Sequence, residues 1–282
     1  GITTEMYRVS KVLNNNGVIA IDMDENKEYV ILGKGVGFGK KVSQRFDKPE
    51  GCTTYRLEQE TERGSAKELV KGIEPEYLEI ADAILTESQK VFGDSIDRGI
   101  LFPLADHISF AVARIRRNEQ ISNPLTEDIK VLFYSEFKVA ETLKTILRER
   151  LQIEIDDHEV GYVALHIHSA IGDEKVSVAM QTARAVRECI DMIEKATGKP
   201  IDVLSLSYNR LMNHMKYMVA RASTGEKLNL DMNEYMLDQY PQAYKVATDI
   251  CKNLEGCIGH NLDETETGYL AMHIQRVYKD AV

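Results

Sequence analysis

Glu159-Val160-Gly161-Tyr162-Val163-Ala164-Leu165-His166-Ile167 returns 107 residues later as Glu266-Thr267-Gly268-Tyr269-Leu270-Ala271-Met272-His273-Ile274. The same offset relates Asp106-His107-Ile108-Ser109-Phe110-Ala111-Val112-Ala113-Arg114 to Asn213-His214-Met215-Lys216-Tyr217-Met218-Val219-Ala220-Arg221. It also relates Phe137-Lys138-Val139-Ala140 to Tyr244-Lys245-Val246-Ala247. Three ungapped matches at one offset mark a tandem duplication, with modules over 66–172 and 173–282. Tyr77, Ile80, Ala81, Ile84 and Leu85 share one helical face, and Leu104, Ile108, Ala111, Val112 and Ile115 share another. Both modules are therefore expected to be all-α. Asp156-x-x-Glu159 and Asp263-x-x-Glu266 read as capping boxes, which place His166 and His273 two turns into equivalent helices.

Upstream of the duplication the period changes. Val18-Ile19-Ala20-Ile21 and Tyr29-Val30-Ile31-Leu32 are short β-branched runs, and Tyr7 to Leu13 alternates in part. Asn14-Asn15-Asn16-Gly17 and Asp24-Glu25-Asn26-Lys27 are turn-rich. Residues 6–60 thus read as a small antiparallel sheet of about four strands, joined to the helical region by a polar stretch near 58–67. A sheet this small buries little core and gains by dimerising.

The 282 residues carry a formal charge of −10, all of it outside residues 1–60, where nine Lys/Arg balance nine Asp/Glu. An acidic body argues against nucleic-acid binding by residues 61–282, which leaves the N-terminal sheet as the place for a polyanion. No apolar run suits a membrane span, and Gly1-Ile2-Thr3-Thr4-Glu5 does not resemble a secretory signal. Four scattered cysteines, at 52, 189, 251 and 257, suggest the reduced cytoplasm.

Of seven histidines, the duplication matches four: His107 with His214 and His166 with His273, 59 residues apart in each module. His158, His168 and His260 have no counterpart. Histidines hydrogen-bonded in a helical core are the plain alternative. Metal binding is disfavoured: residues two apart on a helix, as His166 and His168 are, do not face each other, and HExxH is absent. No matched carboxylate stands out beside a histidine, because Asp106 becomes Asn213. Phosphorylation fits better, since a neutral imidazole is a good phosphoryl acceptor and the product places dianionic charge on a helix. Arg114 and Arg221 read as solvated surface charges without a role.

Gly33-Lys34-Gly35-Val36-Gly37-Phe38-Gly39-Lys40-Lys41 is the densest glycine cluster. It matches neither a Walker loop nor a dinucleotide fingerprint, and no cofactor is implied. Two alternatives stay open: a hairpin with solvated lysines, or an RNA-facing loop in which lysines meet phosphates, Phe38 stacks and Asn14 to Asn16 supply amides.

Lys11-Val12-Leu13-Asn14-Asn15-Asn16 followed by the glycine cluster resembles the co-antiterminator RNA-binding domain. The modules, through Asp106-His107-Ile108 and Gly161-Tyr162-Val163-Ala164-Leu165-His166-Ile167-His168, resemble the PTS regulation domain. One such RNA-binding domain followed by two regulation domains is the order of the BglG/SacY-type transcriptional antiterminators. The Gly37-to-Lys41 ending is most similar to the glucose-permease subgroup. The resemblance implies an α+β multidomain regulator and not an enzyme. It implies a cytoplasmic homodimer, without metal, that binds an RNA hairpin in a sugar-operon leader through Lys11, Asn14, Asn16, Gly33, Lys34 and Phe38, and so blocks a terminator. Position 34 is arginine in several relatives, and lysine gives up the planar fork. His107, His166, His214 and His273 would accept phosphoryl groups from the histidine phosphocarrier protein and the sugar permease of the phosphotransferase system. The alternative is a DNA-binding activator with the same regulation domains, which needs a helix-turn-helix in place of the N-terminal strands.

Overall fold

A computed structural model describes residues 5–119, 121–172, 174–202 and 204–280. They form two compact units, one of residues 1–123 and 135–175, the other of 124–134 and 176–282.

The first unit begins with β1 (Met6–Asn14), β2 (Gly17–Asp22), β3 (Glu28–Leu32), β4 (Arg45–Asp47) and β5 (Thr53–Arg56). These pair antiparallel in the order β4-β1-β2-β3-β5. Both sequence-predicted turns lie between strands and are closed by their own side chains. Asn14 Oδ1 accepts from the Asn16 amide at 2.9 Å, and Asp22 Oδ1 accepts from the Asp24 amide at 2.8 Å. The sheet exceeds the expected four strands because β4 and β5 are too short to display a period. Tyr7, Val9, Val18, Ala20, Ile31, Val36 and Phe46 form its core.

The polar stretch that follows is a small hairpin, β6 (Glu60–Thr61) with β7 (Gly64–Ser65). Ser65 then caps α1 (Ala66–Lys71) by accepting from the Glu68 amide. The rest of this unit comprises α2 (Pro75–Phe92), α3 (Leu101–Arg116), α5 (Tyr134–Ala140), α6 (Thr142–Leu151) and α7 (Asp157–Gly172). In α2 a proline at the first turn starts the helix, and Gly93 at φ 67° ends it. The expected faces of α2 and α3 are buried up to Ile115, which is half-buried, with Ile80, Ile84, Leu104 and Val112 fully enclosed.

The second unit holds α8 (Val176–Thr197), α9 (Leu206–Thr224), α10 (Asn233–Gln239), α11 (Pro241–Ile258) and α12 (Thr265–Asp280), together with α4 (Thr126–Leu132). Thus α4, which belongs in sequence to the first repeat, packs on α8 and α9. Ile129, Leu132 and Phe133 are buried there, and Arg187 lies 3.5 Å from the buried Asp128. Its repeat counterpart α10 packs instead on α11 and α12. Asn233 anchors α10, accepting from the Gly268 amide at 2.7 Å and donating to the Glu264 carbonyl at 2.9 Å. Thr126 stands at the matching position in α4 and lacks the amide that makes these two bonds.

Among the described residues no helix is long and apolar enough to cross a membrane.

Candidate functional site

The duplication brings its histidines together in pairs. His107 on α3 and His166 on α7 have ring centroids 5.0 Å apart, and His214 on α9 stacks on His273 of α12 at 4.5 Å. Tyr162 and Tyr269 flank the pairs at equivalent positions, 5.6 Å from His107 and 4.6 Å from His214. Two helices per module, each with one imidazole facing its neighbour, explain why both positions recur at a fixed spacing.

One imidazole of each pair is buried and its partner is half-buried. His166 and His214 are only 5% and 6% exposed, and so do not lie on an open helix surface. Burial, helped by His107 and Arg63, pushes His166 down to about 3 against the support of its bond to the Tyr162 carbonyl. Burial, then His273 and Arg221, takes His214 to about 3, and burial with Arg276 and Arg210 takes His273 to about 4. All three are neutral at pH 7 and keep a lone pair. His166 Nδ1 lies 2.9 Å from the Tyr162 carbonyl, which only accepts, so Nδ1 carries the proton and Nε2 the lone pair. His214 Nε2 and His273 Nε2 are buried without a hydrogen-bond partner.

Each pair sits beside an arginine–glutamate couple. In the first module Arg114 Nη2 is 3.0 Å from Glu159 Oε1, while Glu159 Oε2 is 3.4 Å from His107 Nε2. In the second, Arg221 holds Glu266 at 2.6 Å. Burial works to raise Glu159, but His107 and Arg114 beside it overcome that and hold its carboxyl below the usual range. One cleft is bordered by Glu159 and another by Arg221 with Glu266.

Sequence reasoning missed these couples, although both residues recur at the shared offset. Glu159 and Glu266 look like the second half of a capping box. In the fold it is the aspartate ends of the boxes that cap: Asp156 accepts from the His158 and Glu159 amides, and the Thr265 hydroxyl, with the backbone amides at Thr265 and Glu264, holds the Asp263 carboxyl below its usual range. The glutamates reach the arginines, which are therefore not solvated surface charges: their side chains are 23% and 16% exposed.

The unmatched His168 has a different environment. Burial works to lower it, yet hydrogen bonds to Glu136 at 2.8 Å and Glu174 at 3.3 Å prevail and raise it to about 9. It is a charged clasp between α5 and the end of α7.

In the N-terminal sheet, Lys11, Lys34 and Phe38 are exposed, Phe38 to 72%. Asn14, Asn16, Gly33 and Lys34 come together where the β1–β2 turn meets the glycine loop. The Gly33 amide donates to the Asn16 carbonyl, and the Gly35 amide to Asn16 Oδ1. Two of the glycines serve packing: a Cβ on Gly33 would fall 2.3 Å from Cys52 Sγ, and one on Gly37 2.0 Å from the Asn14 carbonyl. Lys40 lies over the Phe46 ring at 5.4 Å.

Comparison with known proteins agrees with this layout. The CAT RNA binding domain family matches residues 7–64, and the PRD domain family matches 82–170 and again 187–277. The GlcA/glcB genes antiterminator of Staphylococcus carnosus is 30% identical over 95% of this chain and 94% of its own length. The transcription antiterminator LicT of Bacillus subtilis is 27% identical over 97% of this chain and all of its own. A crystal structure of GlcT CAT-PRDI superimposes with a TM-score of 0.51 at 28% identity, covering 59% of this chain and 99% of that one. With strands where a helix-turn-helix would be needed for the DNA-binding alternative, the chain belongs to the transcriptional antiterminators built from one CAT RNA-binding domain and two PRD domains.

Proposed function

We propose that this protein is a cytoplasmic, homodimeric regulator, not an enzyme, that binds an RNA hairpin in a sugar-operon leader and prevents the overlapping terminator from forming. Lys11, Asn14, Asn16, Gly33, Lys34 and Phe38 form the RNA face, and His107, His166, His214 and His273 are the phosphoryl acceptors. The carrying observation is the imidazole pair, one member of it buried, repeated in both modules beside an arginine–glutamate couple.

The chemistry follows from the proton positions. In His166 the Nε2 lone pair attacks the phosphorus of a phosphohistidine on the carrier protein or the permease. The donor's N–P bond breaks with its electron pair left on the donor nitrogen, a new N–P bond forms at Nε2, and the Nδ1 proton, given up from the Tyr162 carbonyl, passes to the donor imidazole so that both rings end neutral. A dianion cannot remain in this interior unpaired, so phosphorylation opens the helix pair or draws Arg114 or Arg221 away from its glutamate. Either change alters module packing, and through it the pairing of RNA-binding domains.

Two measurements test the reading. Mass spectrometry of the full chain, after incubation with the phosphocarrier system, should find phosphate on the four histidines and not on His158 or His260. Gel-shift assays of the full chain with stem-loop RNAs should show binding that weakens as salt rises. Absence of both phosphate and RNA binding would refute the proposal.

A further inference from the structure

Asn14 and Asn16 do not point into solvent. Asn14 Nδ2 donates to Glu79 Oε2 at 3.0 Å, and Asn16 Nδ2 donates to Glu79 Oε1 at 2.9 Å. A single carboxylate on α2 thus takes both side-chain amides, 65 and 63 residues away in the chain. The amides are preset for an anion by the sheet itself. Asn14 Oδ1 is occupied by the Asn16 amide and Asn16 Oδ1 by the Gly35 amide, so both NH2 groups are turned outward as donors.

Glu79 is part of a row. Glu76, Glu79 and Asp82 follow at three-residue steps along one face of α2, a line of negative oxygens such as a nucleic-acid backbone also offers. Arg150 stands 3.6 Å from Glu76 and 3.5 Å from Glu79. Asp82 accepts from the buried Tyr55 of β5, and Arg98 bonds both Tyr55 and Asp82. The sheet is therefore held to α2 at two polar points, and one of them uses the asparagines assigned to RNA.

We propose that Glu79 is an intramolecular competitor of RNA: its carboxylate occupies the position that an anionic or acceptor group of the hairpin takes on Asn14 and Asn16, and the first regulation module masks the RNA face in this arrangement. This rests on the RNA-face reading above. It gives the acidic balance of the helical body a specific use, because a carboxylate on the module offers the amides the same acceptor chemistry as the ligand it excludes. When the masked form dominates, the apparent affinity of the full chain for RNA falls by the fraction of molecules that are open.

The test compares wild type with E79A and E79Q as full chains, using stem-loop RNAs selected from a randomised pool by the E79A protein. Glu79 is not buried in an apolar core, and Arg150 retains Glu76, so both variants are expected to fold. Both should bind the selected RNAs about tenfold more tightly than wild type. The side-chain NH2 resonances of Asn14 and Asn16 should shift in the RNA-free E79A protein. Equal, measurable affinities for all three chains would overturn the masking proposal and leave the RNA reading intact. Failure of every chain to retain any RNA would overturn both.

Discussion

Arg221 holds Glu266 through two hydrogen bonds, 2.6 Å from Nε and 2.9 Å from Nη2, in a site where the carboxylate is only 2% exposed. A buried pair of this kind is destabilising to break from one side, because the remaining charge is left without compensation. E266A and R221A should each lower the unfolding free energy of the second unit by about 3 kcal/mol. The double variant R221M/E266L should recover much of that loss. Urea denaturation of the full chain reads all three, and a double variant no better than the worse single one would contradict the account.

The histidines make stability depend on pH in two opposed ways. His166, lowered to about 3, is buried neutral, so the unfolded chain takes up its proton first as pH falls below about 6.5. Its contribution is present above that pH and is lost as pH falls towards 3. His168, raised to about 9, works in reverse: its contribution is full below about 6.5 and is lost as pH rises through 9. Melting temperatures of H168Q should therefore be lower than wild type near pH 6, and the difference should shrink by pH 9.5. A difference that is constant across this range would remove the Glu136–His168–Glu174 clasp from the explanation.

Phe38 separates function from folding. Its ring is 72% exposed, so F38A should change stability by less than about 0.5 kcal/mol. If the ring stacks on a base, the same variant loses about 1–3 kcal/mol of RNA binding. Calorimetric melting alongside RNA titration checks both numbers, and unchanged RNA affinity would take Phe38 off the interface.

Neighbouring glycines should respond differently to alanine. Gly35 has φ +76° with open space where a Cβ would project, so G35A should cost about 1 kcal/mol from the left-handed backbone alone. At Gly37 the new Cβ would lie 2.0 Å from the Asn14 carbonyl, and backbone has to move. G37A should cost about 2–3 kcal/mol and disturb the Asn14 turn, visible as shifted amide resonances at 14–17.

The duplication, the helical faces and the two hairpin turns were legible because each is written in local spacing. His107, His166, His214 and His273 were legible as a set because two helices in each module demand the same residue at the same place. Glu159 and Arg114 were not, since a glutamate three residues after an aspartate satisfies a local rule so well that its long-range partner is hidden. The hydrogen bonding of Asn14 and Asn16 was legible in their residue type, but their partner Glu79, more than sixty residues away, was not. The destination of α4 was not legible either, because an amphipathic helix does not name the surface that will cover it.

That destination matters for any truncation. The chain leaves the first unit after residue 123, contributes residues 124–134 to the second, and returns at 135. A gene fragment ending near residue 172 would strand Ile129, Leu132 and Phe133 without their cover, and one beginning near 176 would leave the matching surface bare. Cutting the chain at the boundary between its two copies would therefore uncover an apolar helix face, because the spatial boundary and the sequence boundary do not coincide.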